Sequence, residues 1–159
     1  MKITCITVGK VKENFYRQAI EEFQKRLQKY CKLEIIEVAD EKTPDKAGEK
    51  IEKQIKTIEG ERILKHLKEK DYVIALAIEG QGLTSEKLAK KIANLGINGN
   101  SSIVFVIGGS LGLSFEVLKR ADYQMSFSAM TFPHQLMRVI LLEQVYRSFR
   151  IINGEPYHK

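Results

Sequence analysis

Three short runs, Ile3 to Val8, Tyr72 to Ile78 and Ile103 to Ile107, are apolar or β-branched at almost every position. A strand with one wet face alternates polar and apolar residues, so runs that do not alternate must be covered on both faces. Sheets covered on both faces are built mainly from parallel strands joined by helical crossovers. The stretches between the runs have the matching pattern: Tyr16, Ile20, Phe23, Leu27 and Tyr30 recur at three- and four-residue spacing, one apolar stripe of a helix. The expectation is an α/β fold, a mostly parallel sheet with helices on both faces.

The rest of the chain follows the same alternation. Leu33 to Val38 reads as the second strand, and Asp40 to Gly48 as a polar connection containing Pro44. A charged helix follows with Ile51, Ile55 and Ile58 inward and Glu49–Lys53, Glu52–Lys56 and Glu61–Lys65 pairs outward. Gly60 is expected to bend or break it, and His66 to lie solvated on its outer face. The strand from Tyr72 ends at Glu79-Gly80-Gln81-Gly82. Thr84 caps a helix striped by Leu88, Ile92 and Leu95 and closed by Gly96. Ser114 caps a short helix to Arg120, Tyr123 to Phe127 is a short alternating strand, and Pro133 sits in the first turn of a last helix running to about Ile152. No repeat or linker interrupts this, so residues 1–159 read as one domain.

A chain of 159 residues with 43% hydrophobic and 29% charged residues buries enough core to fold without disulfides or metals. No apolar run is long enough to cross a bilayer, and the amino terminus reads as a strand rather than a signal peptide. Cys5 and Cys31 form no metal-ligand or redox motif, which points to idle thiols and a cytoplasmic setting. The histidines (His66, His134, His158) have no metal-ligand spacing, so no metal is expected. The net charge of +6 is weighted to residues 81–159, with nine Lys/Arg against five Asp/Glu. A basic surface beside a pocket suits an anionic partner such as RNA, although many proteins share this charge without binding nucleic acid.

On the last helix, Val139, Leu141, Leu142, Val145, Tyr146, Phe149 and Ile152 form an apolar arc about 160° wide, enough to dock on the sheet. Leu136, Met137 and Ile140 form a second patch outside it. A second copy of the chain is the preferred cover, a symmetric homodimer; packing under a loop of the same chain is the alternative.

Chemistry is concentrated in three loops, Glu79-Gly80-Gln81-Gly82, Gly108-Gly109-Ser110 and Phe127-Ser128-Ala129-Met130-Thr131-Phe132, each following a strand. Ligands of open α/β sheets sit beyond the carboxyl ends of strands, where small residues let main-chain amides come close. The dinucleotide fingerprint is absent after Gly9, Gly108-Gly109-x-x-Gly112 lacks the lysine and hydroxyl of a phosphate loop, and no Gly-x-Ser-x-Gly elbow occurs. A site made mainly of backbone suits an adenosyl ligand with little negative charge, and S-adenosylmethionine fits better than ATP. A non-catalytic ribosome-associated RNA-binding module and a small-molecule oxidoreductase or nucleotide binder remain as alternatives.

The run Phe105-Val106-Ile107-Gly108-Gly109-Ser110-x-Gly112, the run Ser126-Phe127-Ser128-x-Met130-Thr131-Phe132-Pro133-His134-Gln135, then Arg138, Glu143-Gln144-x-Tyr146-Arg147 and the terminal Pro156-Tyr157-His158-Lys159 resemble the SPOUT class of RNA methyltransferases. Ile6-x-Val8-Gly9-Lys10 and Glu13 to Tyr30 extend the likeness over the whole chain, to members that modify N3 of a pseudouridine in large-subunit (23S) ribosomal RNA. The resemblance implies a deep trefoil knot around the cofactor site, within about residues 70–159, with Leu76, Gly108, Phe127, Ser128, Ala129, Met130, Thr131 and Phe132 holding S-adenosylmethionine. It also implies catalytic roles for His134, Arg138, Tyr157 and His158, RNA contacts for Arg147 and Lys159, and a terminal tail that completes the active site, across a homodimer. Read from the residues alone, His134 and Arg138 lie one turn apart at the helix start, where both can face a base or simply solvate a helix end. Arg147 can instead pair with Glu143, and a terminal tail is ordinarily disordered. With no separate RNA-binding module, recognition is expected to need the folded large subunit or whole ribosome.

Overall fold

A computed structural model describes residues 1–159. The elements follow in the order β1 (Lys2–Val8), α1 (Asn14–Leu27), β2 (Lys32–Val38), α2 (Glu49–Leu64), β3 (Tyr72–Gly82), α3 (Ser85–Ile97), β4 (Ser102–Ile107), α4 (Phe115–Arg120), β5 (Tyr123–Ser126) and α5 (His134–Ile152). The five strands form one sheet in the order β2-β1-β4-β3-β5, and every neighbouring pair is parallel.

The non-alternating runs do what double coverage requires. On β4, Ile103, Phe105 and Ile107 join a core with Leu27 of α1, Leu88 and Ile92 of α3 and Leu141 and Leu142 of α5. Val104 and Val106 turn to the opposite face and pack with Ile63 of α2 and Val117 of α4. Thus α1, α3 and α5 cover one face, and α2 and α4 the other. Thr84 and Ser114 cap α3 and α4 as the sequence predicts, accepting from the amides of Lys87 and Val117 at 3.1 and 3.3 Å.

Several local expectations change. On α2, Ile55 is buried but Ile51 and Ile58 are exposed, the inward face being completed by Glu59, Gly60 and Ile63. Gly60 does not interrupt α2. A Cβ there would stand 2.3 Å from Ser114 Oγ, so the glycine lets α2 approach the buried cap of α4. At an open helical site Gly→Ala stabilises by about 1 kcal/mol; here Gly60→Ala is expected to destabilise by roughly 1–3 kcal/mol through overpacking. A urea midpoint that rises in the variant would contradict this packing. His66 is exposed in the turn just past α2 rather than on it. Gly96 lies inside α3, and the left-handed residue beyond the helix is Gly99, at φ +89°.

The largest difference concerns β3. Leu76 and Gln81 both pair with Met125 of β5, so residues 77–80 bulge out of an otherwise continuous strand. A Cβ on Gly80 would meet the backbone of Gln124 and Met125 at 2.8 Å. The expected open loop at Glu79–Gly82 is therefore a bulge pressed against β5, with the last two residues paired again. The short last strand stops at Ser126, one residue earlier than predicted.

Candidate active site

The sheet order places β4, β3 and β5 side by side, and their carboxyl ends carry the three segments singled out in the sequence. Ala75 lies opposite Val106, so Leu76 sits near the strand end that leads into Gly108. Leu76 itself lies opposite Met125, two residues before Phe127. Leu76, Gly108 and the start of the 127–132 segment thus converge at one edge, although 32 residues separate the first two in sequence.

Gly108 is buried, and a Cβ there would stand 2.7 Å from the carbonyl carbon of Gly112. The loop folds back on itself through a Gly112 amide bond to the Gly109 carbonyl at 3.1 Å, with Gly112 at φ +87°. After β5 the chain is held by its own hydroxyls. Ser126 Oγ donates to the Ser128 carbonyl at 3.0 Å, and the Met130 amide donates to Ser128 Oγ at 3.0 Å. Phe127 and Phe132 are half-buried, whereas Ala129, Met130 and Thr131 face outward. Phe127 also lines a small cleft with Leu83, Ser85, Ile140 and Gln144 between α3 and α5. These are small residues, exposed main chain and apolar side chains, with no lysine or arginine among them.

The residues with catalytic expectations fall into two groups at different points along α5. His134, in the first turn, is half-buried, and burial, followed by the nearby Arg138 charge, lowers its pKa. Its imidazole is held neutral near physiological pH and able to accept a proton.

Arg138 lies far from solvent at 4% exposure. Its Nη2 donates to the Val8 and Gly9 carbonyls at 2.7 and 2.9 Å, and Nη1 to Glu37 at 2.8 Å. Instead of projecting into solvent toward a base, this guanidinium ties α5 to the ends of β1 and β2. The sequence carried the signal: Arg138 shares a stripe with Leu142, Val145 and Phe149, in the middle of the buried arc. The second apolar patch also divides, since Met137 packs against the core while Leu136 and Ile140 are half-exposed beside it.

The tail is ordered. The Tyr157 ring packs edge-on against Tyr146 with centroids 4.9 Å apart, and its hydroxyl donates to Glu143 at 3.1 Å. Burial, then that carboxylate, raises the Tyr157 pKa, so the phenol keeps its proton and is a donor rather than a base. Arg147 pairs with Glu143, stacks 4.7 Å over Tyr157 and reaches His158 Nδ1 at 3.1 Å. His158 Nε2 contacts Glu86 at 2.7 Å, and hydrogen bonding to that imidazole is the main cause of the lowered Glu86 pKa. Glu86, which sequence reasoning missed, is the link that brings the tail to the start of α3, beside Ser85 in the cleft. Glu155 bonds Tyr30 at 2.8 Å and Arg150, anchoring the chain just before Pro156. Lys159 is exposed. His134 and Arg147, thirteen residues apart, are separated by about 20 Å along the helix axis, so one chain does not bring His134 to its own tail.

A family model described as "Predicted SPOUT methyltransferase" matches residues 1–158. The chain belongs to the SPOUT methyltransferase family. Proteins named ribosomal RNA large subunit methyltransferase H from Bifidobacterium adolescentis and Clostridioides difficile are 66% and 61% identical to this SPOUT methyltransferase, each over 100% of both chains. A Clostridium perfringens protein named ribosomal RNA large subunit methyltransferase H 1 is 64% identical over the same full span. Among solved structures, a probable methylase family protein from Haemophilus influenzae aligns with 99% of this chain and 70% of its own, at a TM-score of 0.55 and 14% identity. That likeness shows a shared fold. No helix is long and apolar enough to cross a membrane, and no group of three or more His, Cys, Asp or Glu residues is arranged to hold a metal ion.

Proposed function

We propose that this SPOUT methyltransferase uses S-adenosylmethionine to methylate N3 of a pseudouridine in large-subunit (23S) ribosomal RNA, acting as a homodimer on the assembled ribosome. The observation that carries the reading is the convergence of Leu76, Gly108 and the 127–132 segment at neighbouring strand ends, in a chain whose full-length relatives are named ribosomal RNA large subunit methyltransferases.

The residues present fit such a donor. The backbone around Gly108 is too close for a side chain, which leaves main-chain amides and carbonyls to read an adenine edge. Leu76, Phe127 and Phe132 supply apolar surface for its faces, and no cation at these loops calls for a phosphate. Bound there, the donor supplies an already activated methyl on a sulfonium sulfur. The chain's own tasks are alignment and exclusion of water, and care of the N3 proton that must leave the base. Arg138 is a positioning residue, fixing the start of α5 and with it His134. His134, held neutral, is a side chain fit to accept a proton; His158, whose two ring nitrogens meet Arg147 and Glu86, takes part once one of those contacts is exchanged for the base, and Tyr157 orients the tail through Glu143. Arg147 and Lys159 lie beside His158 for contact with RNA phosphates.

The separation of His134 from the tail along α5 supports the homodimer. Two copies related by symmetry across the half-exposed Leu136 and Ile140 let the tail of one protomer serve the loops of the other. A deep trefoil knot within about residues 70–159 would pack the cofactor loops closely in this way.

Calorimetry with S-adenosylmethionine and a methyl-transfer assay on undermethylated ribosomes, with mass mapping of the product, test the proposal. Saturable binding and a methyl on one pseudouridine are expected, with protein-free ribosomal RNA a poor substrate. Absent donor binding would favour a non-catalytic RNA-binding role. Gly108→Ala is expected to weaken donor binding about tenfold or more, equivalent to at least about 1.4 kcal/mol, because the loop must open to admit a methyl group. Wild-type affinity in a folded Gly108→Ala protein would move the cofactor elsewhere.

A further inference from the structure

A cavity of about 640 Å³ lies away from the cofactor loops, on the other side of α5, between α1, α5 and the ends of β1 and β2. We propose that this cavity is a subsite for a second nucleotide of the RNA substrate, one that is bound but not methylated. The inference rests on RNA being the substrate.

Four observations carry it. First, the cavity lies at a reversal in sheet topology: β1 leads to α1 on one face, while its neighbour β4 leads to α4 on the other. Crevices of this kind are where open α/β sheets take ligands. Thr7 and Ile107, which pair across these two strands, both line it. Second, its walls hold unused hydrogen-bonding capacity. Thr7, 1% exposed, has no partner for Oγ1, and Arg138, 4% exposed, has none for Nε although its other nitrogens are engaged. Buried polar groups without partners are rare unless something not made of protein meets them. A small local adjustment brings a hydroxyl and an N–H donor to the carbonyl-bearing edge of a base.

Third, the floor is apolar, with Cys5, Ile35, Leu141 and Leu142, and the volume falls in the range of small-molecule sites. A planar base fits this better than a sugar or a metal. Fourth, the chain from the end of β1 into the first turn of α1 is basic and carries an exposed ring. Lys10 and Arg17 line the cavity, Lys12 is exposed in the connection between β1 and α1, and at the start of α1 Phe15, 63% exposed, stands 4.4 Å from the Tyr16 ring. Cations with an exposed ring make the usual platform for unstacked RNA. Glu21 and Glu37 offset part of the positive charge, leaving enough for one phosphodiester and too little for a free polyphosphate. The position across α5 from Phe127 and Gln144 separates this nucleotide from the methylated one.

An amide NMR titration of the full-length protein with uridine 5′-monophosphate tests the site without donor or ribosome. Saturable shifts are expected at Thr7, Lys10, Val11 and Leu141 and not at Phe127–Phe132. In turnover assays, Lys10→Ala and Ile20→Phe (which narrows the cavity from α1) are expected to raise KM for ribosomes about tenfold, the scale of one lost stacked base, while kcat and S-adenosylmethionine affinity stay at wild type. Shifts confined to other residues, or wild-type KM in the folded exposed-site variant Lys10→Ala, would overturn the subsite. Loss of donor binding or of methyl transfer in the wild-type protein would instead strike the proposed function, leaving the nucleotide titration to decide the cavity by itself.

Discussion

His158→Ala, and deletion of Tyr157 to Lys159, are expected to lower methyl-transfer turnover at least about a hundredfold, the lower end of what a positioned acid–base group contributes. The point substitution is the sharper experiment. The His158 imidazole hydrogen-bonds Arg147 and Glu86, and its partner carboxylate is a largely exposed side chain. An exposed pair of this kind is screened by solvent and adds little to stability, so a large loss of rate is not expected to come from unfolding. The deletion also removes the Tyr157–Tyr146 packing, and a modest drop in thermal midpoint is expected there alone. Single-turnover rates on undermethylated ribosomes, with S-adenosylmethionine affinity measured in parallel, separate the effects: donor binding is expected to survive in His158→Ala while the chemical step slows. Full turnover in that variant would take the imidazole out of the mechanism and leave the tail a purely structural clasp.

Arg138→Met is expected to destabilise the fold by roughly 2–4 kcal/mol, the cost of leaving two buried acceptors without their donor. Its removal leaves the Val8 and Gly9 carbonyls without this donor, while the exposed Glu37 carboxylate keeps the Val11 amide and solvent. That is a large fraction of the stability of an ordinary domain. Arg138→Lys is expected to recover little, because one ammonium on a flexible stem does not reproduce a planar fork directed at three oxygens. Urea unfolding at fixed protein concentration checks this, concentration mattering for a protein proposed to dimerise. A variant as stable as wild type but slow in turnover would return Arg138 to direct contact with the substrate. Because α5 also carries His134, the structural reading predicts that stability and turnover fall together.

The architecture was legible because each element left a local trace. Non-alternating runs marked strands covered on both faces, and β4 divides Ile103, Phe105 and Ile107 from Val104 and Val106 between two cores, as that reasoning requires. The caps at Thr84 and Ser114 were readable for the same reason, and so was the start of α5 to within one residue, since Pro133 is its N-cap rather than part of its first turn: each depends on a few adjacent residues. The use of Gly60 is not legible locally, because the side chain it makes room for lies 54 positions away at Ser114. Arg138 was legible in part. Its place on the buried stripe can be counted along the sequence, but a charged side chain ordinarily marks an exposed position.

For the site, the sequence by itself determined which loops are free of cations and rich in small residues, and that two histidines flank the last helix. It determined a parallel sheet, since only a sheet covered on both faces makes uninterrupted apolar strands favourable. Only the tertiary structure decided that β4, β3 and β5 stand side by side and gather Leu76, Gly108 and Phe127, because strand order is a choice among long-range pairings with no local signature. It alone showed the β3 bulge, the Glu86 contact that anchors the tail, and the cavity beside Thr7 and Arg138. Each depends on groups far apart in the chain being forced together by core packing, which residue spacing does not record.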